Sequence, residues 1–367
     1  MGSKRKLLEF LETSINDYYD TDNLSKPDTI FDMFTGSGRV AHHFRHQYRV
    51  IGNDKQEYSR VILEAYLQNT RPPEYYKGII AQLNNLPLSN ISKTDGWYTK
   101  TYGGPYNNGK SIGLDGKPKP WIDYNAMKID IVRTAIDKHF PKPCVEKSVL
   151  LLSLMLAISK VSNLMGHHVG YFKDWKPGKL KFLHLEMPPI ETWDNPQHEV
   201  HCLDMYDAIQ QIKAPLVYID PPYGTNNAKV SRTGGCRYDQ FYHLWNTVVV
   251  NDRPKVWGKA NKPDYTEGVC GDLEYNDKSI VIPSFKRILT GLQTDTICLS
   301  YSNKGLLTSA ELADLIEESG FRRDTIHFYT TQHQMNVHSK AGRTEGHCID
   351  RPNQNMPLIE YAILARR

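Results

Sequence analysis

Leu216-Val217-Tyr218-Ile219-Asp220-Pro221-Pro222-Tyr223 reads as a buried strand that runs into an acid, two prolines and a ring. Proline has no N–H for a sheet ladder, so the strand stops there. The acid and the ring are then held at the carboxyl edge of a strand, where open α/β sheets bind their ligands. A carboxylate, rigid carbonyls and an aromatic face suit a flat, hydrogen-bonding amine such as a nucleobase.

Upstream, Thr29-Ile30-Phe31-Asp32-Met33-Phe34 predicts a strand closed by Thr35-Gly36-Ser37-Gly38. A helix over 39–47, a strand over 48–54 and a helix through 58–67 complete a βαβ unit. The glycines permit a tight turn and close approach of a ligand to backbone N–H groups. With Ala41 the spacing is G-x-G-x-x-A, and Asp54 follows Gly36 by 18 positions. That is near the expected gap for an acid on ribose hydroxyls, so a nicotinamide-dependent oxidoreductase is one reading at this point. Strand 198–204 ends in Asp204, which reads either as a helix cap or as a partner for an adenine amino group. A strand over 296–302, a helix opening at Thr308 and stopping at Gly320, and strands near 321–331 and 359–365 finish the chain. The pattern predicts an α/β sheet.

Residues 71–195 break this rhythm, with a Gly/Pro-rich stretch over 96–120 and helices near 123–139 and 146–164. So long an insertion between strands reads as a functional element of its own. Lys100, Lys110, Lys117 and Lys119 stand among Trp97, Tyr98, Tyr102 and Tyr106. Lys173, Lys176, Lys179 and Lys181 flank Trp175, while Lys229, Arg232, Arg237 and Tyr238 follow the prolines. Basic residues among aromatics suit phosphate contact and base stacking.

The 367 residues are 40% hydrophobic and 23% charged, an ordinary globular balance, and the net charge of +4 permits nucleic-acid binding without demanding it. No apolar run reaches the roughly 18 residues of a membrane span. Glu9 and Glu12 interrupt the basic start, which therefore does not read as a signal peptide. Cys144, Cys202, Cys236, Cys270, Cys298 and Cys348 are widely spaced, as expected of a reduced, cytoplasmic protein. His42, His43 and His46 lack the intervening Glu of a zinc-protease helix, so no metal site is expected.

Taken together, these motifs resemble the Dam-like alpha group of adenine-N6-specific DNA methyltransferases. Gly2-Ser3-Lys4-Arg5-Lys6-Leu7-Leu8 looks like that family's N-terminal motif, Phe34-Thr35-Gly36-Ser37-Gly38 its F-x-G-x-G, and Asp220-Pro221-Pro222-Tyr223 its D-P-P-Y. Ser300-Tyr301-Ser302-Asn303 is similar to the following strand end, and Arg237-Tyr238 with Phe241-Tyr242-His243-Leu244 to a segment downstream of D-P-P-Y. Stretch 96–120 matches nothing in the family.

The resemblance implies a Rossmann-like, S-adenosylmethionine-dependent methyltransferase sheet, mostly parallel with one late antiparallel strand. It assigns residues 1–70 and 196–367 to catalysis and 71–195 to an inserted, largely helical target-recognition domain. Asp220, Pro221, Pro222 and Tyr223 would be catalytic. Lys4, Phe34, Thr35, Gly36, Gly38, Asp54, Asp204 and Asp220 would hold the donor. Lys229, Arg232, Arg237, Tyr238, Lys173 and Lys176 would meet DNA. The expected substrate is an adenine flipped out of a specific double-stranded sequence, in an orphan methylase or the modification half of a restriction–modification system with a cognate endonuclease. An Asp rather than a Ser before Pro-Pro-Tyr favours adenine, with cytosine N4 and RNA as the alternative acceptors.

Overall fold

The computed structural model describes residues 4–90, 95–222, 237–266, 271–333 and 358–367. The chain packs as two compact units. One comprises Met1–Lys55, His198–Tyr238 and Val269–Arg367, the other Gln56–Gln197 and Asp239–Gly268.

The first unit is built on a seven-stranded sheet. Its strands are β1 (Thr29–Asp32), β2 (Arg49–Asn53), β3 (Glu199–His201), β4 (Leu216–Ile219), β5 (Thr296–Ser302), β6 (His327–His333) and β7 (Leu358–Arg366). Their spatial order is β6-β7-β5-β4-β1-β2-β3. Five strands run parallel from β3 to β5, and β7 lies antiparallel to both β5 and β6. The dinucleotide-binding order is 3-2-1-4-5-6. Here an antiparallel strand is wedged between the fifth and sixth, as the mostly parallel sheet with one late antiparallel strand requires. All four residues of β1 and of β4 are buried, as in strands covered on both faces, and β4 is accordingly apolar or aromatic throughout.

Helices α1 (Leu8–Thr21), α2 (Arg39–Phe44), α3 (Met205–Gln211), α4 (Lys278–Gly291) and α5 (Ser309–Glu318) belong to the same unit. The apolar stripes of α3, α4 and α5 meet the sheet in a core that includes Phe31, Val217, Ile297, Ile209, Phe285 and Leu312. The predicted start of α5 is a full capping box. The Thr308 hydroxyl accepts the Glu311 N–H at 3.2 Å, and the Glu311 carboxylate accepts the Thr308 N–H at 2.8 Å. Losing the hydroxyl leaves an orphan donor at the helix start. Thr308→Ala is expected to lower the unfolding free energy by about 1 kcal/mol, read as a fall in thermal midpoint with unchanged cofactor binding.

The second unit is mostly helical. Asp123–His139 and Val145–Val161 pack with Glu57–Leu67 and His243–Val250 around Tyr98, Tyr102, Trp121, Ile129 and Leu150. The packing units thus draw different lines from the sequence motifs: 56–70 and 239–268 join the helical unit. Arg133 explains part of this. It is buried, and it donates to the carbonyls of Val248 at 2.6 Å and Val249 at 2.9 Å, the free end of a helix. Lys128 does the same for Asn84 and Leu86, at 2.8 Å each.

No helix among the described residues is long and apolar enough to cross a membrane.

Candidate active site

β1 and β4 are neighbours, so the residues that follow them meet at one edge. Asp32 pairs in register with Tyr218, and the Met33 N–H donates to the Tyr218 carbonyl at 3.1 Å. The chain then turns away on both strands. On β1 the turn is made by glycines at positive φ, +50° at Gly36 and +68° at Gly38. A Cβ on Gly36 would meet nothing within 4 Å, so the backbone angle, not crowding, demands glycine there. Thr35 ties the turn to β2 by donating its N–H to the Asn53 carbonyl at 3.0 Å and its hydroxyl to the same oxygen at 3.1 Å. Asp54 accepts the Gly36 N–H at 2.8 Å. The fingerprint acid therefore braces the glycine turn with one of its oxygens. Phe34 packs, partly buried, against the sheet core.

On β4 the turn begins at Asp220, with Pro221 buried behind it. Lys4, from a short 3-10 turn at 4–6, places its ammonium 3.0 Å from the Asp220 carboxylate and 3.8 Å from Glu360 on β7. Lys4 is 7% exposed and Glu360 8%. Burial pushes the Asp220 carboxyl above its ordinary pKa, and the Lys4 charge opposes part of that rise.

Asp32, at the end of β1, is 1% exposed. Neither of its oxygens completes a hydrogen bond among the described residues. Burial drives its pKa well up and the neighbouring Asp220 charge adds to this, while the amides of Ala41 and Phe34 offset only part of the cost. A buried acid without a partner marks a site waiting for one. Sequence reading passed over Asp32 and Glu360. Asp32 looks like an ordinary strand residue, but its place two positions before the F-x-G-x-G motif was a usable signal. Nothing in the sequence links Glu360 to the N-terminus.

Asp204 is the helix cap that was one of its two readings, and it also carries an ion pair. One oxygen accepts the Tyr206 N–H at 3.1 Å and starts α3; the other lies 3.1 Å from Lys55. Beside it the Tyr206 hydroxyl donates to Asp272 at 2.7 Å. Beyond β5, Asn303 closes the β5–β7 end, accepting the Ile359 N–H at 3.0 Å.

The remaining expected residues divide sharply. Tyr223, Lys229 and Arg232 lie outside the described residues. Arg237 is half-buried, and the Tyr238 N–H donates to Glu274 at 3.0 Å. Lys173 and Lys176 are exposed, with Lys176 over the Phe172 ring at 4.6 Å. The basic-aromatic stretch 96–120 is divided between interior and surface. Tyr98 and Tyr102 are buried in the helical core, and Lys119 is buried against Asp115 at 2.9 Å. Trp175 is buried as well, donating to the Pro105 carbonyl at 3.1 Å. Of that stretch Lys100, Tyr106 and Lys110 stay exposed, and Lys110 pairs with Asp174 at 2.6 Å. His168 and His243 are buried and hydrogen-bonded to backbone, and burial depresses His243 to about 3. A groove of about 400 Å³ runs along Val145–Val161, lined by Ser153, Lys160, His184 and Glu186, and contains none of the motif residues.

Comparison with known proteins gives the family. The model of the D12 class N6 adenine-specific DNA methyltransferases matches residues 1–265. The sequence is similar to Modification methylase LlaI of Lactococcus lactis subsp. lactis, 28% identical over 326 residues, 86% of this chain and 48% of that protein. It is similar to Type II methyltransferase M.NlaIII of Neisseria lactamica, 28% identical over 325 residues, 87% of this chain and 88% of that one. With Type II methyltransferase M.FokI of Planomicrobium okeanokoites it shares 25% identity over 330 residues, 87% of this chain and 47% of that protein. The chain thus spans about half the length of the first and third of these relatives and most of the second.

Proposed function

The chain belongs to the D12 class of N6-adenine-specific DNA methyltransferases, and from that premise we propose that it moves a methyl group from S-adenosylmethionine to the exocyclic amine of an adenine rotated out of double-stranded DNA. The observation that carries the reading is Asp220, held at the carboxyl end of β4 beside the glycine turn and anchored by buried Lys4.

The residues at this edge fit such a donor. Asp32 offers an unsatisfied buried carboxylate to a positive group, and the turn at Gly36 leaves open space over its backbone. Asp54, with Phe34, Thr35 and Gly38 around it, frames the ribose side, and Asp204 lies one strand further out. Lys4 supplies the one cation that the structure places beside Asp220 among the described residues. S-adenosylmethionine brings an already electrophilic methyl group, so the protein need not supply a nucleophile.

Its own task is to prepare the amine. The lone pair of an adenine amino group is delocalised into the ring. Asp220 accepting one N–H and the Pro221 carbonyl accepting the other draw the nitrogen toward a tetrahedral geometry and free that pair. Positioning and electrostatics then provide the acceleration. The amine becomes acidic only as its new bond forms, so Asp220 needs to be ionised but not strongly basic. Inside a duplex the base is out of reach and has to be extruded. Tyr223 would cover its face, where stacking contributes roughly 1–3 kcal/mol.

The helical unit would read the flanking sequence, with Lys173 and Lys176 on phosphates and Lys229, Arg232, Arg237 and Tyr238 nearer the extruded base. The names of the relatives support the modification half of a restriction–modification system, paired with an endonuclease, as the setting. The decisive experiment incubates the protein with tritiated S-adenosylmethionine and DNA, then sequences genomic DNA from cells with and without it by a modification-sensitive method. N6-methyladenine at one sequence context is expected. N4-methylcytosine, label in RNA alone, or no label would reject the reading. The double variant Lys173→Ala/Lys176→Ala should weaken binding to all sequences alike and flatten the salt dependence by about two units of slope, measured by titration across salt concentrations. An unchanged slope would take these lysines off the phosphates.

A further inference from the structure

We propose that Glu360 is a positioning residue for this reaction: by sharing Lys4 with Asp220, it keeps the lysine from locking onto the carboxylate that must receive the acceptor amine. The inference rests on the reading of Asp220 given above and adds a residue from the opposite end of the chain.

The geometry is specific. Lys4 reaches two acids, nearer Asp220 at 3.0 Å than Glu360 at 3.8 Å, and both ion pairs are largely closed to solvent. Glu360 is not a loose side chain that happens to reach inward. Its backbone is fixed from both sides, in register with Ser302 of β5 and Thr331 of β6. A charge pair in such a place attracts far more strongly than one in water. A lysine with a single acid would commit that acid's oxygens to itself. Asp220 must instead offer an oxygen to an incoming N–H. A second carboxylate 3.8 Å from the same ammonium divides the attraction.

Among the described residues, the charged and titratable groups around Asp220 are few. Lys4 faces it from the N-terminal turn and Asp32 from β1. Tyr218 lies on its own strand, and Cys298 on β5 is buried with a thiol pushed up to about 12. Among the described residues, Asp220 and Glu360 are the acids ion-paired with Lys4. Asp32 stands on the Asp220 side, and Asp54 is engaged with the Gly36 amide.

The sign follows. Lys4 lowers the pKa of Asp220, and a Glu360 that competes for Lys4 weakens that hold. Neutralising it should strengthen the remaining pair and lower that pKa. In Glu360→Gln, kcat is expected to fall by about tenfold on its plateau as Asp220 becomes a poorer acceptor, while the acidic limb of the kcat profile moves to lower pH. Glu360→Asp keeps the charge and should return part of the rate. Thermal midpoint and calorimetric binding of S-adenosylmethionine, measured on both variants, report whether the site is still folded. A Glu360→Gln enzyme with the parent kcat and an unmoved acidic limb would overturn the proposal. So would equal losses in both variants with the limb unmoved, since that is the behaviour of a packing residue. Asp220→Ala is assayed alongside. If it still turns over, the underlying reading of Asp220 has failed. If it is dead while Glu360→Gln is normal, only the role of Glu360 has.

Discussion

Asp220→Ala is expected to abolish methyl transfer, by a factor of at least about 10²–10³, while the protein still folds and still binds S-adenosylmethionine. The loss is large because the carboxylate acts where charge develops, in a site poor in water. Folding survives for a structural reason. Removing one acid from Lys4 leaves that ammonium with Glu360, so no buried cation is stranded. Asp220 is also ionisable, which gives a second readout. Its pKa lies above the ordinary carboxylate value because burial outweighs the help from Lys4. The working form is the anion, so kcat in the parent enzyme should fall as pH drops through that raised value. The acidic limb should stand at higher pH than a solvated aspartate would give. Single-turnover rates with saturating donor and DNA, against donor affinity by calorimetry, separate the two effects. A variant that turns over normally, or one that fails because it no longer binds the donor, would remove Asp220 from its assigned place.

Much of this site was legible because strand ends write themselves in local sequence. Four apolar residues followed by Asp-Pro-Pro located Asp220, and two glycines after an apolar strand located the turn that the positive φ angles confirm. The capping pair Thr308 and Glu311 was legible for the same reason. What failed to show were partnerships across the chain. Lys4 and Glu360 are separated by nearly the whole sequence and meet only because β7 returns antiparallel beside β5. The lysines and tyrosines of 96–120 have the composition of an exposed nucleic-acid loop, yet Tyr98, Tyr102 and Lys119 are interior. Composition counts charges, whereas burial depends on whether each finds a partner, as Lys119 does in Asp115 and the Thr101 carbonyl. The same applies to Arg133 and Lys128. A helix with two charges on its inner face is not readable as such when the carbonyls that receive them come from other segments.

Asp32 is where stability and function should be seen to oppose each other. Asp32→Asn is expected to weaken S-adenosylmethionine binding by about 10–100-fold, the range for losing a charge-assisted contact of roughly 1.5–3 kcal/mol. The same change should raise the thermal midpoint of the donor-free protein, because it removes a buried acid that neighbours Asp220. The pH dependence gives the sharper test. Asp32 has a raised pKa in the folded chain and an ordinary one, about 3.9, in the unfolded chain. The native state therefore binds its proton more tightly than the unfolded state does. Its contribution to stability is fully present below the unfolded pKa and declines as pH rises, levelling off above the folded value. The asparagine variant should lose that decline. A cationic donor favours the ionised form, so its binding should drive the proton off wherever free Asp32 still holds it. Calorimetry in two buffers of different ionisation enthalpy measures that release directly. The parent protein should release a proton that the variant does not. If the variant binds the donor as tightly as the parent at every pH, or melts lower than the parent, the carboxylate is a structural acid and the donor's charge is met elsewhere.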